Sequence, residues 1–136
     1  MSVVSILIID GNDEERGYYI DRLKLSSPDY QIFEAADGQS ALELIRSRSF
    51  DCVILDLSLP DISGFEILIK VVPIANKPEI PVIALYKIPF VALFEVAMKN
   101  GAYACIHKAA ASGDLLDKTI SKAISWITRS RKQDML

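Results

Sequence analysis

The sequence is poor in the side chains that build metal centres and disulfide frameworks. It contains two cysteines, Cys52 and Cys105, and one histidine, His107, too few for the usual four-ligand zinc site. It also lacks any apolar run near the ~20 residues that a membrane-spanning helix needs. The first residues show neither the charged start nor the cleavage site of a signal peptide. We therefore expect a cytoplasmic protein that does not enter a membrane.

An excess of charge of one sign is also lacking, because 15 basic residues face 18 acidic ones and the net charge is −3. No basic patch marks a nucleic-acid surface, so we expect no direct contact with nucleic acid. The chain is short enough for one domain and, at 51% hydrophobic residues, apolar enough to bury a core. We expect a single domain over 1–136, with a core from about 5 to 128 and a frayed C-terminal extension over 129–136.

Two signatures of enzymes are missing as well. The loops contain no glycine-rich phosphate cradle, and no serine lies in a nucleophile elbow. A flavin protein or a hydrolase of the aspartyl-phosphate type is therefore disfavoured, although either could share the architecture described next. We do not expect an enzyme.

What the sequence does contain is a regular alternation of short apolar runs and amphipathic segments. The runs predict five strands, and the segments predict five helices joined to them by short connections. Such alternation predicts a parallel sheet covered on both faces, for which the common five-stranded order is 2-1-3-4-5. The fold class is therefore α/β, a flavodoxin-like doubly wound sheet with five helices. The strands are expected at 5–9, 30–34, 51–55, 80–85 and 103–106.

The spacing of apolar residues also predicts which helix faces are buried. The third helix is expected to bury Phe65, Leu68, Ile69 and Val72, before a linker marked by Pro73 and Pro78. The fourth helix, from about Pro89, is apolar nearly all round, and its core face is expected to be Phe90, Leu93, Phe94 and Ala97. Its remaining apolar residues indicate either a contact surface or cover by neighbouring loops: Val91, Val96 and Met98. The last helix, from about Gly113 to Arg129, is expected to bury Leu116, Ile120, Ala123 and Ile127.

Charged residues follow three of the predicted strands. Asp10 ends strand 1, Asp56 ends strand 3 and Lys108 follows strand 5. In the order 2-1-3-4-5, the carboxyl ends of strands 1 and 3 meet at the point where such sheets bind ligands. Two carboxylates with nearby carbonyls suit Mg²⁺, a lysine suits a phosphoryl oxygen, and a carboxylate can itself become an acyl phosphate. The alternatives are a turn-capping Asp56, a loop-forming Asp10 and a solvated Lys108.

The segment around Asp56, Ile54-Leu55-Asp56-Leu57-Ser58-Leu59-Pro60-Asp61-Ile62-Ser63-Gly64-Phe65-Glu66, resembles the phosphoacceptor segment of the receiver domains of two-component response regulators. Ile6-Leu7-Ile8-Ile9-Asp10 resembles the first strand of that family, and Pro81 to Leu85 and Gly101 to Lys108 resemble its later blocks. The resemblance covers residues from about 5 to 128. The chain resembles the chemotaxis regulators among these receivers, with atypical features described below.

The resemblance implies a phosphoryl switch. Asp56 would accept a phosphoryl group from a histidine kinase or phosphotransfer protein, and Lys108 would contact the phosphate. Mg²⁺ would be held by Asp10, Asp56 and the backbone carbonyl of Ser58. The surface formed by helix 4, strand 5 and helix 5 would then change and bind a downstream protein or a second copy of the chain. The chain would be either a stand-alone regulator or a receiver cut from a larger hybrid protein.

Several positions depart from the family's pattern. Gly11 replaces the second of two consecutive acids, which should weaken Mg²⁺ binding unless Asp13 or Glu14 substitutes through water. Tyr86 stands where the family has a Thr or Ser that bonds the phosphoryl group, and Lys87 replaces the small residue beside it. Cys105 takes the place of the switching aromatic residue and Ala109 the place of a proline.

These departures leave a second interpretation open. The chain could be a pseudo-receiver, a protein-interaction module that signals through helix 4 and strand 5 without phosphorylation. Tyr86 itself has two interpretations, a replacement for the switch aromatic or a partly exposed ring covering the site. The two cysteines lie on strands 3 and 5 with strand 4 between them, too far apart for a disulfide, and are expected to be reduced.

Overall fold

The computed structural model describes residues 3–72, 80–88 and 91–134, with side chains described as far as residue 129. The predicted linker prolines Pro73 and Pro78 lie outside the described residues. So do Pro89 and Phe90, which were expected to start the fourth helix and to face the core.

Within this part of the chain, five parallel strands form one sheet in the order β2-β1-β3-β4-β5, as predicted. The apolar runs form strands because they carry residues that pack on both faces of a buried sheet. Three strands start one residue later than predicted, and β4 starts two later, after Pro81. The strands are β1 Ser5–Ile9, β2 Gln31–Ala35, β3 Cys52–Asp56, β4 Val82–Tyr86 and β5 Ala104–His107.

Five α-helices of the described chain cover the two faces of the sheet, again as predicted. Side chains just before three of them accept a backbone N–H and so define where the helix begins: Asn12, Asp37 and Ser63. A short 3-10 turn, Lys108–Ala110, follows β5. The helices are α1 Asp13–Ser26, α2 Gly38–Ser47, α3 Gly64–Val71, α4 Val91–Lys99 and α5 Gly113–Asp134.

Two of the predicted helix faces are wrong in part. On α3, Ile69 is 51% exposed, and the buried apolar side chains are those of Ile67, Leu68 and Val71. On α4, Phe94 is 42% exposed, and Ala97 is the fully buried residue. Both helices are apolar on more than one side, so periodicity alone does not select the face that meets the sheet.

The last helix buries the predicted face, which is Leu116, Ile120, Ala123 and Ile127. The helix extends from Gly113 to Asp134. The sequence after Thr128 contains neither glycine nor proline, so no residue forces the helix to end there.

The core has two apolar layers, one on each face of the sheet. Side chains alternate between them along each strand, so Ile54 faces one layer while Val53 and Leu55 face the other. Cys52 and Cys105 are both free thiols, as predicted, and burial raises the pKa of each. Among the described helices, none combines the length and apolarity needed to cross a membrane.

Candidate functional site

The candidate site lies at the carboxyl edge of the sheet, where the ends of β1 and β3 meet. Asp56 is the last residue of β3, and Asp10 directly follows β1. The Asp10 amide donates to the carbonyl of Ala35 (3.1 Å), and the Leu57 amide donates to that of Leu85 (2.9 Å), so the parallel ladder continues up to both acids. The backbone thereby brings two acids from distant parts of the chain to one edge.

Lys108 lies between the two acids, and its side chain is only 7% exposed. Its ammonium donates to Asp10 Oδ2 (2.9 Å) and to Asp56 Oδ2 (2.8 Å). It also donates to Glu15 Oε2. Asp10, Asp56 and Lys108, the three charged residues expected to converge from their positions at strand ends, therefore share direct ion pairs.

The second oxygen of each aspartate is held by the backbone. Asp10 Oδ1 accepts the Asn12 amide (2.8 Å), and Asp56 Oδ1 accepts the Ser58 amide (2.9 Å). Each carboxylate is therefore fixed by one backbone donor and one shared cation, which orients both without a further side chain. Ser58, expected to contribute its backbone carbonyl to a metal, lies on the loop that follows β3.

Burial and ion pairing act in opposite directions on these groups. Burial raises the pKa of Asp10 and outweighs its bonds to Lys108 and the Asn12 amide, which lower it. Burial opposes the charge of Lys108, but hydrogen bonds to Asp56, Glu15 and Asp10 prevail and raise its pKa. For Glu15, the contacts with two lysines overcome desolvation and lower the pKa. The ammonium is therefore held charged by its neighbours.

Glu15 is a functional candidate that sequence reasoning missed. Asp13 and Glu14 were the acids expected to approach the site, but Asp13 is exposed and pairs with Arg16 (2.6 Å). Glu15 lies one residue beyond them and reaches Lys108. The available signal was the Asn12 cap, because fixing the helix start also fixes which first-turn side chain turns towards the sheet edge.

Lys87 is a second functional candidate. In the sequence it stands out only as the replacement for a small residue beside Tyr86. Its ammonium lies 2.7 Å from Glu15 Oε1, so Glu15 bridges Lys87 and Lys108. A cavity of about 370 Å³ opens at the site, and Lys87, Asp56 and Lys108 all line it, together with Gly11. Two carboxylates, of Glu15 and Asp56, and two ammonium groups thus line the cavity. The buried Asp10 carboxylate lies behind them on Lys108.

The Tyr86 side chain is not among those that line the cavity. Its ring packs against the apolar layer that includes Ala84 and meets His107 edge-on, with 5.1 Å between ring centroids. Cys105 packs on the same layer. The side chains at the two positions where the family's switching residues are expected therefore face the core, while Lys87 faces the cavity.

Two further contacts hold the loops of the site. The buried Arg16 donates to the Asp10 carbonyl (2.6 Å) and to Glu34 (2.8 Å), which ties the loop after β1 to β2. Asp61 accepts the amides of Gly38 (2.8 Å) and Gln39 (3.0 Å), which ties the loop after β3 to the start of α2.

Oxygen donors dominate the site, but their arrangement is centred on the ammonium of Lys108. In the part of the chain that the structure describes, no group of three or more His, Cys, Asp or Glu side chains is arranged to hold a metal ion. Asp10 and Asp56 remain two hard oxygen donors of the kind that suits Mg²⁺. Gly11 adds no donor to them, so the set is one carboxylate short of the family's pattern.

The fold and the site together define a flavodoxin-like α/β module with a charged cleft at the ends of its central strands. The sequence matches the family model described as the response regulator receiver domain over residues 6–120. The chain belongs to that family, whose members are signalling modules of two-component systems and not classical enzymes.

Individual relatives agree with this assignment. The transcriptional regulatory protein SrrA of Staphylococcus aureus is 37% identical over 65 residues, a stretch that covers 48% of this chain and 26% of SrrA. The signal receiver domain of the DNA binding response regulator protein merR from Colwellia psychrerythraea has a TM-score of 0.81 and 27% identity, covering 90% of this chain and 98% of that one.

A third relative has a fold likeness only. It is a response regulator from Burkholderia pseudomallei, whose structure contains a phosphorylated aspartic acid, a calcium ion and citrate. Its TM-score is 0.74 at 21% identity, covering 96% of this chain and 74% of that one.

Proposed function

We propose that this chain accepts a phosphoryl group on Asp56 from a histidine kinase or phosphotransfer protein and then switches a partner-binding surface. The observation that carries the proposal is the position of the Asp56 carboxylate. It borders an open cavity while one of its oxygens pairs with Lys108 at 2.8 Å. The phosphorylated aspartic acid in the Burkholderia pseudomallei relative supports the same chemistry here. The extent of the receiver, residues 1–136, and a cytoplasmic location are part of the proposal.

The transfer uses side chains that line the cavity and a phosphohistidine donor. A carboxylate oxygen of Asp56 attacks the phosphorus, the phosphorus–nitrogen bond breaks, and the bonding pair returns to the imidazole of the donor. The product is an acyl phosphate on Asp56. Lys108 faces the charge that builds up on the phosphoryl oxygens, and an ammonium held charged by neighbouring carboxylates is suited to that task.

Mg²⁺ would be held by the Asp10 and Asp56 carboxylates and by the carbonyl of Ser58. When bound, it would neutralise negative charge on the phosphoryl oxygens. Asp10 is fully buried, and its carboxylate shares the Lys108 ammonium with Asp56, the proposed acceptor. Because Gly11 provides no third carboxylate, we expect the affinity for Mg²⁺ to be weak.

Restoring the missing acid should therefore strengthen metal binding. A side chain at Gly11 would border the cavity, where a Cβ atom would lie 3.0 Å from Pro60 Cδ. We expect Gly11→Asp to bind Mg²⁺ roughly tenfold more tightly, since charge count sets the affinity of carboxylate sites. Calorimetric titration with MgCl₂ measures the change.

Gly11→Ala is the matched control, because it adds the same Cβ atom beside Pro60 without a carboxylate. Its Mg²⁺ affinity should equal that of the wild type or fall slightly. Equal affinities for Gly11→Asp and Gly11→Ala would contradict the assignment of the metal to this edge of the cavity.

The proposed output surface is formed by α4, β5 and α5. It carries an exposed apolar group on α4, which is Val91, Phe94, Val96 and Met98. On its other side Tyr103 packs against Trp126, with 5.5 Å between ring centroids. Exposed apolar side chains on one helix are typical of a contact surface, and we assign it to a downstream protein or to a second copy of the chain.

A second candidate function is a pseudo-receiver that signals without phosphorylation. The observation that favours it is the closed set of ion pairs, in which Lys108 already contacts three carboxylates. Tyr86, packed against His107, also offers no small hydroxyl to a phosphoryl group. Under this alternative, Asp56→Asn would leave signalling intact.

Intact-mass measurement after treatment with acetyl phosphate and Mg²⁺ distinguishes the two functions. The wild type should gain the mass of one phosphoryl group, and Asp56→Asn should gain none. Asp61→Asn is a useful comparison, since it alters an aspartate five residues along the same loop and should still be phosphorylated. If the wild type gains no mass while a known receiver in the same reaction does, the pseudo-receiver interpretation replaces the phosphoacceptor.

A further inference from the structure

Lys87 is a cation at the rim of the cavity with no role in the phosphoryl transfer described above. It directly follows β4, its side chain is 61% exposed, and its ammonium lies 2.7 Å from Glu15 Oε1. Asp56 and Lys108 line the same cavity. An ion pair of this exposure contributes little to stability, so Lys87 can exchange Glu15 for a better partner at small cost.

We infer that Lys87 is the second phosphoryl-binding cation of this site and that it leaves Glu15 for a phosphoryl oxygen once Asp56 is phosphorylated. The inference rests on the proposed function. Phosphorylation replaces the single charge of the carboxylate with a group that carries about two negative charges. Lys108 is already shared among three carboxylates, so the added charge favours the approach of Lys87, the other ammonium group that lines the cavity.

Of the two residues at the end of β4, only Lys87 is placed to contact a phosphoryl group on Asp56. The Tyr86 ring packs on the apolar layer and makes an edge contact with His107. Lys87 is the neighbouring residue that turns to the cavity, on a flexible stem that ends in a point charge. The phosphoryl group would thus be recognised by charge at the place where a small hydroxyl was expected from the family resemblance.

The exchange also has a consequence for Glu15. In the ion-paired state, Glu15 bridges Lys87 and Lys108. When Lys87 moves to the phosphoryl oxygen, Glu15 keeps only Lys108. Phosphorylation would therefore rearrange the contact between α1 and the residue after β4, and would signal through charge at that contact.

Binding of beryllofluoride, a mimic of the acyl phosphate group, tests the inference directly. Fluorine-19 NMR titrations at saturating Mg²⁺ give dissociation constants for the wild type, Lys87→Gln, Lys87→Arg and Lys99→Gln. We expect Lys87→Gln to bind roughly three- to tenfold more weakly, as for loss of one partly exposed charge-assisted hydrogen bond. Lys87→Arg should stay within about twofold, because the positive charge remains. Lys99→Gln makes the same charge change on the exposed surface of α4 and should match the wild type.

Each failure has a distinct meaning. If the wild type binds and Lys87→Gln binds equally well, Lys87 is not a ligand and the inference is overturned, while Asp56 remains the acceptor. If Lys87→Arg is as weak as Lys87→Gln, the effect is not one of charge, and the inference is overturned as well. If the wild type itself shows no bound fluorine signal, the proposed phosphoacceptor function fails and the inference fails with it.

Discussion

Replacing Lys108 with methionine is expected to lower the free energy of unfolding by about 3 kcal/mol, because breaking a buried ion pair by removing one partner leaves uncompensated charge. The Lys108 ammonium is the shared partner of Asp10 and Asp56, which are both almost completely buried. Methionine keeps much of the side-chain volume and removes the charge. Urea denaturation in metal-free buffer measures the difference.

Lys118→Met is the matched control, since Lys118 is an exposed lysine on α5. Its free energy of unfolding should change by no more than about 0.5 kcal/mol. A loss below about 1 kcal/mol for Lys108→Met would contradict a buried, lysine-centred site, because that is the range of exposed pairs.

The penalty of Lys108→Met should also depend on pH. In the wild type, burial already raises the pKa of Asp10, while Lys108 lowers it. Without Lys108 the pKa of folded Asp10 rises further above its unfolded value, so the folded variant binds more protons than the unfolded one. The free energy of unfolding of the variant then falls as the pH rises towards the pKa of folded Asp10 and beyond it, and it is regained as the pH falls. The difference between wild type and variant should therefore shrink from pH 7 towards pH 5, in buffers that contain EDTA.

Replacing Gly64 with alanine is expected to destabilise the protein by about 2–3 kcal/mol, as overpacking does in a well-packed core. Gly64 is the first residue of α3 and packs against the end of β3, where Asp56 lies. A Cβ atom there would lie 2.5 Å from Leu57 Cα and 2.7 Å from the Asp56 carbonyl oxygen. Both are backbone atoms, so the clash can be relieved only by moving the segment around Asp56. Thermal or urea denaturation measures the loss.

Gly17→Ala makes the same chemical change in the middle of α1, where an added Cβ atom meets nothing within 4 Å. It should stabilise the protein by about 0.5–1 kcal/mol, because alanine favours a helix over glycine. The two substitutions are thus expected to have opposite signs. A Gly64→Ala variant as stable as the wild type would show that α3 does not approach the backbone of Asp56 and Leu57 this closely.

The sheet could be predicted because four of its strands are apolar runs, while the residues from Tyr30 to Glu34 alternate as a more exposed strand does. Asp10 and Asp56 end two such runs, and the parallel order then forces their ends to one edge. The same argument placed Lys108 near them from the far end of the chain. Convergence of the three charges therefore followed from topology, without any knowledge of side-chain conformations.

Which helix face is buried was harder to predict, for a physical reason. On α5, charged and apolar residues alternate with helical period, and the predicted face is the buried one. On α4, Phe94 and Ala97 were expected on the same buried face, but Ala97 is buried and Phe94 is 42% exposed. Local sequence does not encode the shape of the surface that a helix meets.

Glu15 and Lys87 could not be identified from sequence because their role arises from contacts between elements. Each is one of several charged residues in its segment, and only the folded chain brings their side chains within 2.7 Å. Arg16 is a similar case, since a buried arginine on a polar helix face becomes visible only through its bond to the Asp10 carbonyl. Ion pairs and hydrogen bonds between distant segments can be identified only from the tertiary structure.

Reductive trapping with borohydride after treatment with acetyl phosphate and Mg²⁺ tests the central proposal most directly. The reagent converts an acyl phosphate on aspartate into homoserine, and peptide mapping then locates the modified residue. The proposal predicts homoserine at position 56 and unmodified aspartate at Asp10 and Asp61. Homoserine at one of those two positions, or at none while a known receiver is trapped in parallel, would contradict it.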